Sequence, residues 1–124
     1  TGPYIQYSYA RANSILKKAK INALKGASKN VKNFEIEIFH QKEVELIKKL
    51  SQFKEAVLKA CESLNPSLIA HYSYQLAQTF NEFYHSCSVV DSKEEKFRLN
   101  LVKSFMQVLK NSSSLLGIDI IEEM

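Results

Sequence analysis

The first two dozen residues constrain the fold most. Ile5, Tyr9, Ala12, Leu16, Ala19 and Ala23 recur every three or four positions, and at about 100° per residue they fall in one narrow stripe. Nothing between Tyr4 and Lys25 breaks a helix. Pro3 suits a first helical turn, where its missing N–H would have gone unused, and Gly26 suits the left-handed position just past a helix end. The chain therefore opens on a long amphipathic helix, from about Pro3 to about Lys25, that needs other helices to cover its apolar side. Only three glycines and two prolines occur in all 124 residues, so the rest also favours long helices over a punctuated β architecture.

Further along, Gly26 to Asn33 is polar and reads as a surface loop. Phe34-Glu35-Ile36-Glu37-Ile38 alternates with period two, yet no second alternating run exists to pair with it, so an extended connector or a frayed helix start is expected there. From Lys42 the period is helical again, with Leu46, Leu50, Phe53 and Val57 on one side. This stretch reads either as one helix to Leu64 or as two broken near Ser51-Gln52. Asn65-Pro66 marks a helix start, opening a segment to about His85 that places Ile69, Tyr72, Leu76, Phe80 and Phe83 inward. A short loop from Ser86 to Lys93 tucks Val89 and Val90 underneath. A last helix from about Lys93 to Leu116 turns Leu101, Phe105, Val108, Leu109 and Leu116 inward and stops at Gly117, and the apolar tail from Ile118 to Met124 docks on the bundle. The expected architecture is all-α, a single-domain helical bundle of four to five main helices over residues 1–124.

Several function classes are disfavoured. No run approaches the roughly 18 apolar residues of a membrane span, and no signal peptide precedes the first motif, so no membrane partner is expected and a cytoplasmic location is. Cys61 and Cys87 lie far apart and read as reduced, buried thiols. His40, His71 and His85 have no paired-ligand spacing, so no metal site is expected. There is no glycine-rich phosphate loop and no nucleophile beside a base, and the acidic pairs Glu35/Glu37, Glu43/Glu45 and Glu94/Glu95 read as solvated. No catalytic residue and no cofactor is assigned to this segment. Because the chain opens directly on Thr1-Gly2-Pro3 without an initiator methionine, it reads as the C-terminal fragment of a longer protein.

What stands out is tyrosine. Tyr4, Tyr7, Tyr9, Tyr72, Tyr74 and Tyr84 all lie on two expected helices, and six phenols there imply rings half exposed at a groove between them. On the first helix Tyr4, Tyr7, Arg11, Ser14 and Lys18 form a second stripe away from the apolar one. Two rings beside a guanidinium and an ammonium suit stacking on bases and holding phosphates; the same pattern also suits rings packed on a neighbouring helix beside a solvated arginine. A net charge of +4, from 17 cationic and 13 anionic side chains, favours encounter with a polyanion.

Thr1-Gly2-Pro3-Tyr4-Ile5-Gln6-Tyr7-Ser8-Tyr9-Ala10-Arg11 resembles the TGPYxQYxxxR stretch that opens the C-terminal anticodon-binding domain, the DALR domain, of class I arginyl-tRNA synthetases. Leu46 to Phe53 resembles that family's next helix, and Leu76 to His85 resembles its LAxxFNxFYH stretch. Val108-Leu109-Lys110-Asn111 and Leu115 to Met124 resemble its ending. Three places depart from the pattern: Glu123 stands where arginine is frequent, Lys54 where proline is frequent, and Phe34 to Phe39 has no counterpart. The resemblance implies recognition of the anticodon loop of arginine tRNA through Tyr4, Tyr7, Arg11, Tyr84 and Met124, with Lys18 as a secondary phosphate contact. It also implies an upstream catalytic domain in the same chain, where ATP with magnesium would serve. The alternatives are an anticodon-binding domain of another class I synthetase or a helical module that docks a partner helix.

Overall fold

In a computed structural model, which describes residues 2–24 and 39–120, five α-helices follow one another: α1 (Gly2–Leu24), α2 (Gln41–Ser51), α3 (Phe53–Glu62), α4 (Ser67–Ser86) and α5 (Glu95–Leu115). There is no strand among the described residues. The loop expected from residue 26, the alternating run 34–38 and the end of the tail, 121–124, lie outside them.

Helix α4 is the hub and packs against each of the other four. Its inward face, Ile69, Tyr72, Leu76, Phe80 and Phe83, is buried as its spacing predicts, and Ala77 and Ser73 join it. The small residues matter, because they let helices approach closely. Ser73 and Ser112, both without solvent exposure, meet across α4 and α5 with their hydroxyl oxygens 2.8 Å apart. Seven residues further along α4, Phe80 stacks on Phe105 at a centroid distance of 4.0 Å. Residues rising on α4 thus meet residues falling on α5, so the pair is antiparallel. Helices α1 and α4 instead run in the same direction, since Tyr4 meets Tyr74 and Arg11 meets Tyr84.

The helix starts show local chemistry that spacing alone did not place. The break between α2 and α3 falls at Gln52, one of the two readings the sequence left open. Asn65 Oδ1 accepts from the Ser67 N–H at 3.2 Å, which nucleates α4. Helix α5 starts at Glu95 rather than Lys93, because Asp91 takes a left-handed backbone (φ 66°) and turns the chain before the helix can begin. Gly117, with φ 74°, stops α5 as expected. Beyond it Ile120 packs on the core, and the Gln6 amide donates to the Asp119 carbonyl at 3.0 Å, so the tail is docked as far as the described residues reach. Cys87 is buried, but Cys61 is exposed, contrary to expectation.

Two buried polar arrangements fasten the bundle. Glu43, 2% exposed, caps α2 by accepting from the His40 N–H with Oε1 (2.7 Å) and pairs with Arg98 of α5 through Oε2 (2.9 Å). Arg98 also donates to the Ser88 carbonyl at 2.6 Å, which ties the α4–α5 loop to both helices. Removing one member of such a pair strands the other charge in the interior. Arg98→Met is expected to cost about 3–5 kcal/mol in urea unfolding, and Glu43→Leu combined with Arg98→Met is expected to recover most of that loss. No recovery in the double variant would mean that Arg98 acts by packing alone.

The second arrangement is at Tyr72, whose phenol donates to the Lys49 carbonyl at 2.6 Å while its ring packs beside Phe53. Burial pushes its phenol up to about 12. A folded-state value above the unfolded one, near 10, means that the native state holds its proton longer than the unfolded chain does. The contribution is complete below about pH 10 and is lost as pH climbs toward 12, at up to about 1.4 kcal/mol per pH unit. Stability measured across this alkaline range should therefore fall less steeply in Tyr72→Phe; an unchanged slope would place the alkaline loss elsewhere.

Candidate nucleic-acid interface

The parallel packing of α1 on α4 gives three residues of α1 a common meeting point. Tyr4, Ser8 and Arg11 sit one helical turn apart, on the side of α1 that faces α4, and all three reach Asn81. The Asn81 Nδ2 donates to the Tyr4 hydroxyl at 2.8 Å and to the Ser8 hydroxyl at 2.9 Å, and its Oδ1 accepts from Arg11 Nη1 at 2.9 Å. Ser8 turns its own hydrogen back to the Tyr4 carbonyl at 2.9 Å.

From this anchor the Arg11 guanidinium extends between two rings. Its central carbon lies 4.6 Å from the centroid of Tyr7 and 4.2 Å from that of Tyr84, and Nη2 donates to the Tyr7 hydroxyl at 2.5 Å. A cation over an aromatic face is worth about 0.5–1 kcal/mol at an exposed site. Two such contacts from one side chain make an ordered slab of two rings and a guanidinium. Tyr7 is 50% exposed and Tyr84 38% exposed, so both phenols still present area to solvent.

The slab forms one wall of an open groove of about 680 Å³ between α1, the end of α4 and the α4–α5 loop. Ser14 and Lys18 continue the wall along α1, and Cys87, Ser88, Val89 and Val90 form the loop side. The floor is held from below by the Arg98 bond to the Ser88 carbonyl. Burial pushes the Cys87 thiol up, with Arg98 opposing and Glu43 and Glu94 adding to the shift, so this cysteine lines the groove as a small apolar group. Among the described residues Arg11 and Lys18 are the charged lining residues, and none of the lining residues is a carboxylate. The groove can therefore stack flat π-systems and attract anions. The described residues contain no group of three His, Cys, Asp or Glu side chains able to hold a metal ion, and no helix among them is long and apolar enough to cross a membrane.

Of the residues singled out by the sequence, Tyr7, Arg11, Lys18 and Tyr84 converge on this groove. Tyr4 does not line it: its ring packs against Tyr74 at 5.2 Å and its hydroxyl is taken by Asn81, so for this one ring the helix-packing reading applies. Met124 lies outside the described residues. Sequence reasoning missed Asn81, which at 8% exposure links Arg11 to Tyr4, and it missed the loop residues Ser88 to Val90. A signal for Asn81 existed: it lies on the inward side of a helix otherwise rich in buried apolar residues, where a lone amide needs partners.

Comparison with known proteins agrees with this picture. Residues 5–124 match the family model described as the DALR anticodon binding domain. Among curated proteins, the arginine–tRNA ligases of Clostridium beijerinckii and Borrelia duttonii are 40% and 42% identical over the whole of this chain, which covers 21% of the length of each. Among solved structures, the arginyl-tRNA synthetase of Thermus thermophilus aligns over the whole chain with a TM-score of 0.81 and 33% identity, and that of Plasmodium falciparum with 0.81 and 30%; the chain again covers 21% of each. An all-helical bundle whose solvent-facing phenols flank an arginine, matched from end to end by these proteins, belongs to the DALR anticodon-binding domain family.

Proposed function

We propose that the groove of Tyr7, Arg11 and Tyr84 binds the anticodon loop of arginine tRNA, and that this segment is the anticodon-binding domain of a longer arginine–tRNA ligase. The observation that carries the proposal is the slab itself: two phenols, each more than a third exposed, packed against one guanidinium. Unpaired bases offer flat faces, and stacking on an aromatic side chain is worth about 1–3 kcal/mol per base. The outer faces of Tyr7 and Tyr84 would take splayed anticodon bases. Arg11 would offer its remaining N–H groups to a base edge or a phosphate. Lys18 would meet the backbone further along the groove, and Met124 would lie close to the same loop. Tyr4 would act at one remove, through Asn81.

The ligase reaction would occur elsewhere in the parent chain. ATP and magnesium find no fitting donor set in these residues, which lack both a glycine-rich loop and a cluster of metal-binding side chains among those described. They are assigned to an upstream catalytic domain, which would activate arginine and pass it to the tRNA. That placement accords with a chain spanning 21% of its ligase relatives.

Binding of an anticodon stem-loop hairpin to the full-length protein tests the proposal. Tyr84→Ala should weaken the arginine hairpin roughly 5- to 150-fold, matching the loss of one stacked base, and should affect a noncognate hairpin less. Affinity should also fall steeply as salt rises. Equal loss for both hairpins would remove Tyr84 from specificity. Salt-independent binding, or displacement by an amphipathic peptide rather than by RNA, would favour a protein-docking groove instead.

A further inference from the structure

The Asn81 amide has a defined orientation. Both hydrogens of Nδ2 are committed, to the Tyr4 and Ser8 hydroxyls, and Ser8 has directed its own hydrogen to the Tyr4 carbonyl. Only Oδ1 can then face Arg11. Turning the amide over would set N–H groups against the guanidinium and leave two hydroxyls without their donor. Arg11 is consequently held at two points, by Asn81 on Nη1 and by the Tyr7 hydroxyl on Nη2, with its central carbon within 4.6 Å of both ring centroids. A free arginine side chain would have to give up its rotamer freedom in any binding event. Here much of that ordering is already complete before a ligand arrives.

The chemistry of the anchor matters as much as its position. Arginines that must be immobilised are commonly fastened by carboxylates, as Arg98 is by Glu43 in this same bundle. Arg11 is fastened by two neutral acceptors, an amide oxygen and a phenol oxygen. Among the described residues no carboxylate lines its groove. The guanidinium is rigid yet keeps its full positive charge for whatever enters.

We propose that Asn81 is a positioning residue for RNA recognition, which presets the Arg11 guanidinium between Tyr7 and Tyr84 and, being neutral, leaves its charge available to the nucleic acid. The inference rests on the function proposed above and extends it to a buried residue that touches no ligand. Asn81→Asp is the informative change. It is close in shape, and the Tyr4 and Ser8 hydroxyls can each reverse role and donate to the new carboxylate, Ser8 giving up its bond to the Tyr4 carbonyl, so the fold is retained. The carboxylate, however, pairs with Arg11 and cancels its charge.

The test is a double-mutant cycle in the full-length protein, using Asn81→Asp, Asn81→Ala and Arg11→Ala, with an arginine anticodon stem-loop hairpin titrated at several salt concentrations and thermal unfolding recorded alongside. Asn81→Asp is expected to unfold at the wild-type temperature, to bind roughly tenfold more weakly, and to show a slope of log affinity against log salt shallower by about 0.7, as one fewer counterion is released. In the Arg11→Ala background Asn81→Ala should not weaken binding further. If Asn81→Ala does not fold, the aspartate variant carries the test. Asn81→Asp binding with wild-type affinity and slope, or equal losses from Asn81→Ala with and without Arg11, would overturn the role of Asn81 alone. Wild-type binding by Arg11→Ala would overturn the functional reading beneath it.

Discussion

One buried amide sets the relation between the first helix and the fourth. Asn81 satisfies both of its N–H groups and its oxygen on three successive turns-worth of α1, and each partner has a different consequence. The bond to Ser8 fixes the depth at which α1 sits, since both groups are buried and would cost about 1–3 kcal/mol if left unpaired. The bond to Tyr4 holds a ring against Tyr74 and so fixes the tilt of the helix start. The bond to Arg11 carries this order outward, from the interior to the groove. Apolar contacts alone would let α1 slide or rotate slightly on α4, because they are not directional; hydrogen bonds to a single amide do not.

A groove also needs its opposite wall, and a different polar arrangement supplies it. The loop from Cys87 to Val90 lacks regular backbone pairing of its own, yet Val89 is buried beneath it and Arg98 holds the Ser88 carbonyl. Arg98 is itself immobilised by Glu43, which in turn caps α2. The loop side of the site therefore depends on the start of a helix far away in sequence. Both walls are rigid for reasons rooted in the core, and stacking surfaces benefit from that rigidity because little order remains to be imposed when a ligand binds. The two arginines of the chain divide the work: the one deep in the bundle is neutralised by a carboxylate, and the one at the groove is not.

Much of this was legible in the sequence where a single helix decides the outcome. The inward residues of α4 follow from spacing alone, and Gly117 and Asn65 mark real boundaries. The second stripe of α1 correctly joined Tyr7, Arg11 and Lys18. Legibility ended where two helices must be considered together. Tyr4 and Tyr7 share a stripe, but α4 lies against the start of α1 and covers Tyr4 with Tyr74, leaving Tyr7 open. Periodicity has no term for that. Asn81 was overlooked for the same reason: an amide among apolar residues acquires meaning only from partners seventy or more positions away. Glu43, read from the sequence as a solvated side chain, is instead buried at 2% exposure, because it pairs with Arg98 on a helix that periodicity does not bring to it. The late start of α5 arises from the left-handed turn at Asp91, a conformation that aspartate tolerates without announcing it.

The claim at the centre is that a preset arginine between two phenols receives unpaired bases, and a crystal structure of the full-length protein with an arginine anticodon hairpin tests it most directly. Bases are expected to lie on the open faces of Tyr84 and Tyr7 while Arg11 Nη1 remains bonded to Asn81 Oδ1. A loop bound away from this groove, or one that enters only after Arg11 has left both rings, would contradict it.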